Sequence, residues 1–318
     1  MSRQPIRIGA RGSKLSLAQS GLMQARIAAA LGAGPGDDVA DFAELIPIVT
    51  SGDRIQDRRL MEIGGKGLFT KEIEEALLDG RIDCAIHSLK DMPAELPPGL
   101  VLAATPERED PRDAFISHVC ERLEDLPEGA RLGTASLRRQ AQALHVRPDL
   151  EVVMLRGNVD TRLAKLERGE ADAILLAQSG LNRLGLGHLT KSWLDPVAAP
   201  PAPGQGALVI ETRAEDVDLP WLQAVRCRTT TLAVAAERGA LFALEGSCRT
   251  AVGAHARLDG LNLRLIVEAL TPDGARRFRR EGEAVLAHDA DTAAARALGL
   301  ELGAAVRADG GDALILTD

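Results

Sequence analysis

The segments Gly80-Arg-Ile-Asp-Cys-Ala-Ile86 and Gly169-Glu-Ala-Asp-Ala-Ile-Leu175 repeat one pattern, in which a glycine is followed shortly by an apolar run. A glycine just after a helix favours its termination, and a short apolar run bounded in this way is typical of a buried strand. Each segment therefore predicts the stop of a helix followed directly by a strand. The repetition indicates an internal duplication, which decides the fold.

The same order of elements leads into both segments. The first series is predicted as strand 6–10, helix 14–31 with Ser13 as its N-cap, strand 43–50, helix 68–79 and strand 82–88. The second series is predicted as strand 130–133, helix 136–145, strand 151–155, helix 159–168 and strand 172–177. Strands that alternate with helices form parallel sheets covered on both faces, which bind ligands beyond the carboxyl ends of the strands. We therefore expect an α/β fold with two similar doubly wound domains that flank a cleft.

The pattern changes after residue 229, where it predicts a small α+β C-terminal domain. Its elements are helix 231–244, strands near 251–258, 261–270 and 275–285, and a final helix near 290–306. The Pro-rich segments 103–113 and 196–206 are interpreted as crossovers between domains. The predicted domains are 1–106 with 207–226, then 107–206, and finally 227–318.

Composition excludes several classes of function. The chain has 38 basic and 46 acidic residues, a net charge of −8, and 2% aromatic residues, which disfavours binding to nucleic acid or to anionic membranes. We find neither a signal peptide nor an apolar run of about 18 residues, so we expect a cytoplasmic protein. The four cysteines and six histidines are scattered without metal-binding spacing, so no metal site is predicted.

Basic and small polar residues gather where predicted strands lead into helices. They are Arg11, Ser13, Lys66, Thr134, Ser136, Arg138, Arg139, Arg156, Asn158 and Arg162. Helix N-termini and guanidinium groups bind carboxylates or phosphates, so four such junctions together predict an anion site, although a single arginine there is more often an ordinary surface residue. Lys66 lies in a Gly-Gly-Lys-Gly loop that lacks the spacing of a nucleotide-binding P-loop, which favours a carboxylate ligand.

Two further residues are candidates for chemistry. Asp91 follows the third predicted strand, at the edge where open sheets place catalytic groups, but a turn-forming aspartate paired with Lys90 is an equally good interpretation. Cys248 lies in a Gly-containing loop beside an arginine, a setting that favours a reactive thiolate. Cys84, within an apolar strand, is instead interpreted as inert core.

The chain closely resembles the porphobilinogen deaminase family, also called hydroxymethylbilane synthases, nearly from end to end. The shared motifs are Ile8-Gly-Ala-Arg-Gly-Ser13, Gly64-Gly-Lys-Gly-Leu-Phe-Thr-Lys-Glu72, His87-Ser-Leu-Lys-Asp-Met-Pro93, Glu107-Arg-Glu-Asp-Pro-Arg-Asp-Ala-Phe115, Gly133-Thr-Ala-Ser-Leu-Arg-Arg139, Leu155-Arg-Gly-Asn158, Thr161-Arg-Leu163 and Gly204-Gln-Gly206. The resemblance implies a monomeric transferase of tetrapyrrole and heme biosynthesis. It would join four porphobilinogen molecules head to tail with loss of ammonia, starting from a covalently bound dipyrromethane cofactor, and release hydroxymethylbilane.

The resemblance also implies roles for individual residues. Cys248 is expected to hold the dipyrromethane through a thioether, and Asp91 to be the catalytic carboxylate. The expected cofactor-binding residues are Cys248, Ser13, Lys90, Asp91, Thr134, Ser136, Arg138 and Arg139. The expected substrate-binding residues are Arg11, Lys66, Ser88, Arg156, Asn158, Arg162, Arg183 and Gln205. Each pyrrole ring carries an acetate and a propionate, so the cations among these residues would neutralise the ligand.

The chain departs from the family pattern at two places. Family members usually carry a basic residue where this chain has Glu62, and often a proline where it has Ala251, in the loop after the cysteine. A second interpretation is a non-enzymatic, two-lobed cytosolic anion-binding protein, because the duplicated order suits a periplasmic-binding-protein-like architecture. The third domain with Cys248 argues against it, since a simple binding protein does not need that domain.

Overall fold

The computed structural model describes residues 4–51, 70–93, 95–244 and 250–314. The chain divides into two compact units. Unit 1 comprises Met1–Glu109 and Ala207–Thr231, and unit 2 comprises Asp110–Gly206 and Leu232–Asp318. The three predicted domains and the cleft stay predictions. Among the described residues, no helix has the length and apolar character that crossing a membrane requires.

The secondary structure confirms the predicted order of elements in both series, with bounds shifted by a few residues. The described strands are β1 (Ile6–Arg11), β2 (Ala43–Ile48), β3 (Cys84–Ser88), β4 (Leu100–Ala104), β5 (Asp113–Ser117), β6 (Arg131–Thr134), β7 (Glu151–Met154), β8 (Ala173–Ala177), β9 (Ser192–Trp193), β10 (Leu208–Arg213), β11 (Ala251–Asp259), β12 (Asn262–Leu270) and β13 (Arg277–Val285). The described α-helices are α1 (Lys14–Ala30), α2 (Lys71–Leu78), α3 (Leu137–Val146), α4 (Val159–Glu167), α5 (Gln178–Arg183), α6 (Pro220–Val225), α7 (Arg228–Ala243) and α8 (Thr292–Gly310). A short 3-10 helix, Leu89–Asp91, directly follows β3.

The two five-stranded sheets have the same topology. The strand order is β2-β1-β3-β10-β4 in unit 1 and β7-β6-β8-β5-β9 in unit 2. In each sheet the first three strands are parallel, and the fourth is antiparallel to both of its neighbours. The register also matches, since Gly9 pairs with Ala85 in one sheet and Gly133 pairs with Ile174 in the other. These sheets confirm the α/β class and the internal duplication.

The last two strands of each sheet are absent from the predicted elements. The segment 103–113, interpreted as a crossover, overlaps the end of β4 and the start of β5, and β10 begins just beyond the segment 196–206. Prolines flank these strands and β5 begins with Asp113, a residue type that disfavours strands. Their pairing is decided by long-range contacts, so local patterns did not reveal them.

An arginine–aspartate pair occupies the same position in both sheets. In unit 1 the Arg7 backbone N–H donates to Asp83 Oδ2 at 2.8 Å, and Arg7 Nη2 donates to Oδ1 at 2.7 Å. In unit 2 the Arg131 backbone N–H donates to Asp172 Oδ2 at 2.7 Å, and Arg131 Nη2 donates to Oδ1 at 3.0 Å. Each pair ties the amino end of the first strand in its series to that of the third. The duplication therefore extends to side-chain contacts.

Gly80 and Gly169 end the helices that precede these aspartates. Their φ angles are +69° and +70°, in the left-handed region that glycine adopts without a steric cost. Neither position has a neighbouring atom within 4 Å of where a side chain would begin, so the requirement for glycine comes from the backbone alone. The two predicted helix stops are confirmed.

Helices cover both faces of the unit 1 sheet. On one face Met23 and Ile27 of α1 pack around Ile8, and on the other Ile73 and Leu77 of α2 pack beneath the sheet. All five side chains are fully buried. Burial stabilises the fold by about 1.5–3 kcal/mol for each side chain of this size. This apolar packing holds the strands whose carboxyl ends carry the predicted site.

The C-terminal part of unit 2 is a three-stranded antiparallel sheet, β11-β12-β13, with α7 and α8 packed on it around one apolar core. This confirms the predicted α+β arrangement of elements. α7 and α8 approach at backbone contact, because a side chain on Gly299 would collide with the Ala236 carbonyl. The chain between α7 and β11, residues 245–249, lies outside the described residues.

Candidate functional site

The described site residues of unit 1 share one edge of its sheet. They are Arg11, Ser13, Ser88, Lys90 and Asp91. Arg11 ends β1 and Ser88 ends β3, and these strands are adjacent and parallel, so both residues lie at the carboxyl edge. Ser13 caps α1, since its Oγ accepts a hydrogen bond from the Ser16 N–H at 3.3 Å. The predicted N-cap is confirmed, and the positive end of the helix dipole lies at the same edge.

Asp91 is exposed, at the end of the 3-10 helix that follows β3. The backbone around it is anchored, because the Leu89 N–H donates to the Ala207 carbonyl at 3.0 Å and the Met92 N–H donates to the Leu89 carbonyl at 3.1 Å. The side chains of Leu89 and Met92 are buried. Asp91 therefore presents a carboxylate to solvent from a fixed turn, which is the geometry a ligand-facing acid requires.

Gln19 supports this edge and was missed by the sequence predictions. It is buried on α1, and its Nε2 donates to Ser88 Oγ at 3.0 Å. The contact joins the first helix to the end of β3 and orients the Ser88 hydroxyl. Ser16 and Ser20 share the buried face of α1 with Gln19, so a polar residue on that face was a weak signal that does not specify the partner.

In unit 2 two helix caps lie at the carboxyl edge of the sheet. Ser136 Oγ accepts a hydrogen bond from the Arg139 N–H at 3.4 Å and caps α3, which follows Thr134 at the end of β6. Asn158 Oδ1 accepts one from the Thr161 N–H at 2.8 Å and caps α4. Because β6 and β7 are adjacent and parallel, two helix N-termini are brought to one edge. Such termini attract anions.

Three further arginines lie beside this edge. Arg162 Nε donates to the Gly157 carbonyl at 2.9 Å, and Arg183 Nη2 donates to the Gly206 carbonyl at 2.7 Å. Arg156, just after β7, is half-buried. Contacts to backbone carbonyls orient these guanidinium groups. The three arginines therefore place positively charged side chains at this edge.

Arg138 and Arg139 share a single carboxylate. Both are 5% exposed, and Asp113 is bound by Arg138 Nη1 at 2.6 Å and by Arg139 Nη2 at 2.7 Å. Burial alone would raise the pKa of Asp113, but the charges and hydrogen bonds of the two arginines outweigh it and hold that pKa well below its usual range. Two cations facing one anion leave an excess of one positive charge. That excess suits an anionic ligand.

The network around Asp113 includes two glutamines. Gln205 is fully buried, and its Nε2 donates to Asp113 Oδ1 at 2.9 Å, so its described contacts support the arginine pair. Its expected contact with substrate stays a prediction. Gln142 accepts from Arg138 Nη1 at 2.8 Å and donates to Glu268 on β12 at 2.9 Å. The predictions missed Asp113 and Gln142 as site residues, because Asp113 lies 25 residues from Arg138 and Gln142 lies 126 residues from Glu268.

Lys66 and Cys248 lie outside the described residues, as does the departure at Glu62. Of the described cysteines, Cys84 is fully buried in β3. Burial raises the pKa of its thiol well above the usual range, which agrees with its interpretation as inert core.

Two family models match the chain. "Porphobilinogen deaminase, dipyromethane cofactor binding domain" matches residues 6–220, and "Porphobilinogen deaminase, C-terminal domain" matches residues 231–308. The chain belongs to the porphobilinogen deaminase family. Every described residue expected to bind cofactor or substrate lies within the first match, and Cys248 lies within the second.

Several relatives are similar over their whole length. The porphobilinogen deaminase of Caulobacter sp. (strain K31) is 89% identical over 100% of both chains. That of Phenylobacterium zucineum (strain HLK1) is 72% identical over 99% of this chain and 100% of its own. Among solved structures, an ABC transporter periplasmic substrate-binding protein from Coxiella burnetii is 17% identical, with a TM-score of 0.41 over 69% of this chain and 90% of its own.

Proposed function

We propose that this chain is a hydroxymethylbilane synthase. The observation that carries the proposal is the match of the cofactor-binding-domain model over residues 6–220, a range that includes the carboxyl edges of both sheets. Four porphobilinogen molecules are joined head to tail and released as the linear tetrapyrrole. Each step forms one C–C bond and breaks the C–N bond of the aminomethyl group and one C–H bond of the receiving α-carbon. The hydrogen lost from carbon balances the released ammonia. Release consumes one water, which supplies the terminal hydroxyl group of the product and the hydrogen that balances the bond broken at that step.

Asp91 is proposed as the catalytic carboxylate. Loss of ammonia from porphobilinogen leaves an electrophilic azafulvene, and positive charge develops on the pyrrole nitrogen. The exposed carboxylate of Asp91, held on an anchored turn, can accept hydrogen bonds from pyrrole N–H groups and stabilise that charge. It can also assist proton transfer to the leaving amine, a contribution that amounts to about 10²–10⁴ in rate.

The remaining site residues are proposed to neutralise substrate carboxylates. Guanidinium groups bind carboxylates through paired, charge-assisted hydrogen bonds, and the edge of the unit 2 sheet concentrates them. The proposed substrate-binding residues are Arg11, Lys66, Ser88, Arg156, Asn158, Arg162, Arg183 and Gln205. The half-buried positions of Arg156, Arg162 and Arg183 support this, because partial burial strengthens an ion pair relative to one in open solvent.

The residues present fit a dipyrromethane. Ser13, Thr134 and Ser136 supply hydroxyl groups near two helix N-termini, and Lys90 with the Arg138–Arg139 pair supplies positive charge in excess of Asp113. When bound, the group supplies the free α-carbon to which the first porphobilinogen is joined. We propose that Cys248 holds it through a thioether. Cys84, buried and with a raised thiol pKa, is unsuited to that role.

The alternative of a non-enzymatic anion-binding protein is not favoured, because the two family models account for the C-terminal region as well as for both sheets. A cytoplasmic location, a monomeric state, and the absence of nucleic-acid and membrane partners belong to the same proposal. Porphobilinogen is the small-molecule partner.

Turnover of porphobilinogen tests the proposal. We expect the purified protein to release one ammonia for each porphobilinogen consumed, to form a linear tetrapyrrole, and to give the colour reaction of α-free pyrroles with an aldehyde reagent. Cys248→Ser is expected to give neither product nor colour. Cys120→Ser, at a half-buried cysteine, is the matched control and should behave like the wild type. A folded wild-type protein that leaves porphobilinogen unchanged would contradict the proposal.

A further inference from the structure

Three ionisable side chains are buried together near the end of β3. They are Glu74 on α2, His87 on β3 and Glu211 on β10, and we call them the buried acid–histidine cluster. His87 Nε2 lies 3.0 Å from Glu211 Oε2. The three residues are 8%, 6% and 0% exposed, respectively. None of them was among the predicted site residues.

Such a cluster is costly to bury, since ionisable groups lose their hydration on leaving water. Burial raises the pKa of Glu74, and the neighbouring Glu211 carboxylate adds to the shift. Apolar residues of similar size at such positions are often neutral or stabilising. A structural role alone therefore gives no reason for ionisable groups at these three positions.

Unit 2 provides an internal comparison, because its sheet has the same register. Counting from the equivalent glycines Gly80 and Gly169, His87 corresponds to Leu176 and Glu74 corresponds to Leu163. β10 pairs Glu211 with Ala85, and β5 pairs Ile116 with Ile174, so Glu211 corresponds to Ile116. Leu163, Leu176 and Ile116 all pack in one apolar cluster.

The three equivalent positions thus hold apolar side chains in unit 2 and ionisable side chains in unit 1. The unit with ionisable side chains carries Asp91. His87 directly precedes Ser88, and three residues later the chain reaches Asp91. Glu74 lies in the first turn of α2, which follows the Gly-Gly-Lys-Gly loop in sequence. The cluster therefore includes residues of the strand that leads to Asp91 and of the helix that follows that loop.

We propose that the buried acid–histidine cluster is a positioning site for the condensation reaction. The His87–Glu211 contact fixes the end of β3 against β10, and Glu74 adds a buried acid on α2 near this pair, so that Asp91 is held at a set position. The inference rests on the proposed function. A displacement of about 1 Å in a catalytic group can cost about 10²-fold in rate, so a buried network that removes such freedom has a measurable effect.

The test replaces the cluster with the side chains that unit 2 uses, in the variant Glu74→Leu/His87→Leu/Glu211→Ile. We expect an unfolding midpoint no lower than that of the wild type and full cofactor colour. We also expect kcat to fall by about tenfold or more while KM changes by less than about threefold. A folded, cofactor-loaded variant with wild-type kcat would overturn the inference. Inactive wild-type protein would instead overturn the proposed function.

If the triple variant does not fold, a comparison of two single variants tests the positioning role. Glu211→Gln keeps a hydrogen-bonding partner for His87, whereas Glu211→Ile removes it. We expect Glu211→Gln to retain a kcat at least about fivefold higher than Glu211→Ile; equal values would overturn the positioning role. The matched control is Leu176→Met with Ile116→Leu, which repacks the equivalent level of the unit 2 sheet and should leave kcat unchanged.

Discussion

Both sheets contain the same ion pair, between an arginine near the start of one strand and an aspartate just before a second strand. The pair is Arg7–Asp83 in unit 1 and Arg131–Asp172 in unit 2. At the carboxyl edges the two units differ. Unit 1 presents the exposed carboxylate of Asp91, whereas Asp113 of unit 2 is buried and bound by two arginines. The difference shows that one sheet topology can support either catalysis or anion binding, depending on a few residues at its carboxyl edge.

Removing the exposed acid should have the largest effect. We expect Asp91→Ala to keep its cofactor and its stability but to lose about 10³-fold in kcat, because the carboxylate acts on charge that develops during the reaction. Steady-state turnover measures this. Asp41→Ala, at an exposed acid before the amino end of β2, is the control and should turn over normally. Near-normal turnover by Asp91→Ala would defeat the assignment.

Neutralising the buried acid should instead affect stability. Asp113→Asn leaves Arg138 and Arg139 buried without their carboxylate, and we expect the free energy of unfolding to fall by about 3–5 kcal/mol. Urea denaturation measures it. Asp110→Asn, whose partner Arg112 is a third exposed, should cost about 1 kcal/mol or less. Equal losses in the two variants would show that the Asp113 network is not buried as described.

The equivalent aspartates of the two sheets should behave alike. We expect Asp83→Asn and Asp172→Asn each to lower the free energy of unfolding by about 1 kcal/mol, because each removes a partly exposed, hydrogen-bonded ion pair. Strongly unequal losses in the free energy of unfolding would show that the two ion pairs are not equivalent.

Their pH dependence has a defined sign. Hydrogen bonds from Arg7 outweigh the effect of burial and lower the pKa of Asp83, and hydrogen bonds from Arg131 lower that of Asp172. The stabilisation is therefore present above the unfolded pKa, near about 4, and is lost as the pH falls through the lower folded value. Unfolding curves of wild type and variants should converge in acid; a constant difference would contradict this.

An equally small effect is expected at the two helix stops. Gly80→Ala and Gly169→Ala should each cost about 1 kcal/mol, because both backbones have positive φ and no steric contact adds to the strain. Gly21→Ala is the control: it lies inside α1 with open space around it and should stabilise by about 0.5–1 kcal/mol. Thermal unfolding compares all three. A loss at Gly21 equal to that at Gly80 would contradict the backbone argument.

The sequence predicted the elements that carry local signals. Apolar runs bounded by glycines located β3 and β8, and Ser13 located the start of α1, because those signals lie within a few neighbouring residues. β5 was missed, since Asp113 becomes acceptable in a strand only when Arg138, 25 residues later, neutralises it. β10 was missed because its partners, β3 and β4, lie far away in sequence. The residues expected at the strand ends do lie at two sheet edges, although their roles in binding stay predictions.

No sequence pattern predicted the buried acid–histidine cluster. His87 and Glu211 are 124 residues apart, and nothing in either segment indicates the other. The equivalent positions of unit 2, which hold apolar residues, distinguish this cluster from an ordinary core. Because of the internal duplication, each position in one sheet has an equivalent position in the other. Hydrophobic periodicity provides no such comparison.

The intact mass of the purified protein tests the central claim most directly. We predict that the wild type carries the added mass of a dipyrromethane, that peptide mapping places it on the peptide containing Cys248, and that Cys248→Ser has the mass of its sequence alone. We also predict that brief exposure to porphobilinogen adds mass in steps of one pyrrole unit. Active wild-type protein with an unmodified Cys248 would contradict the account.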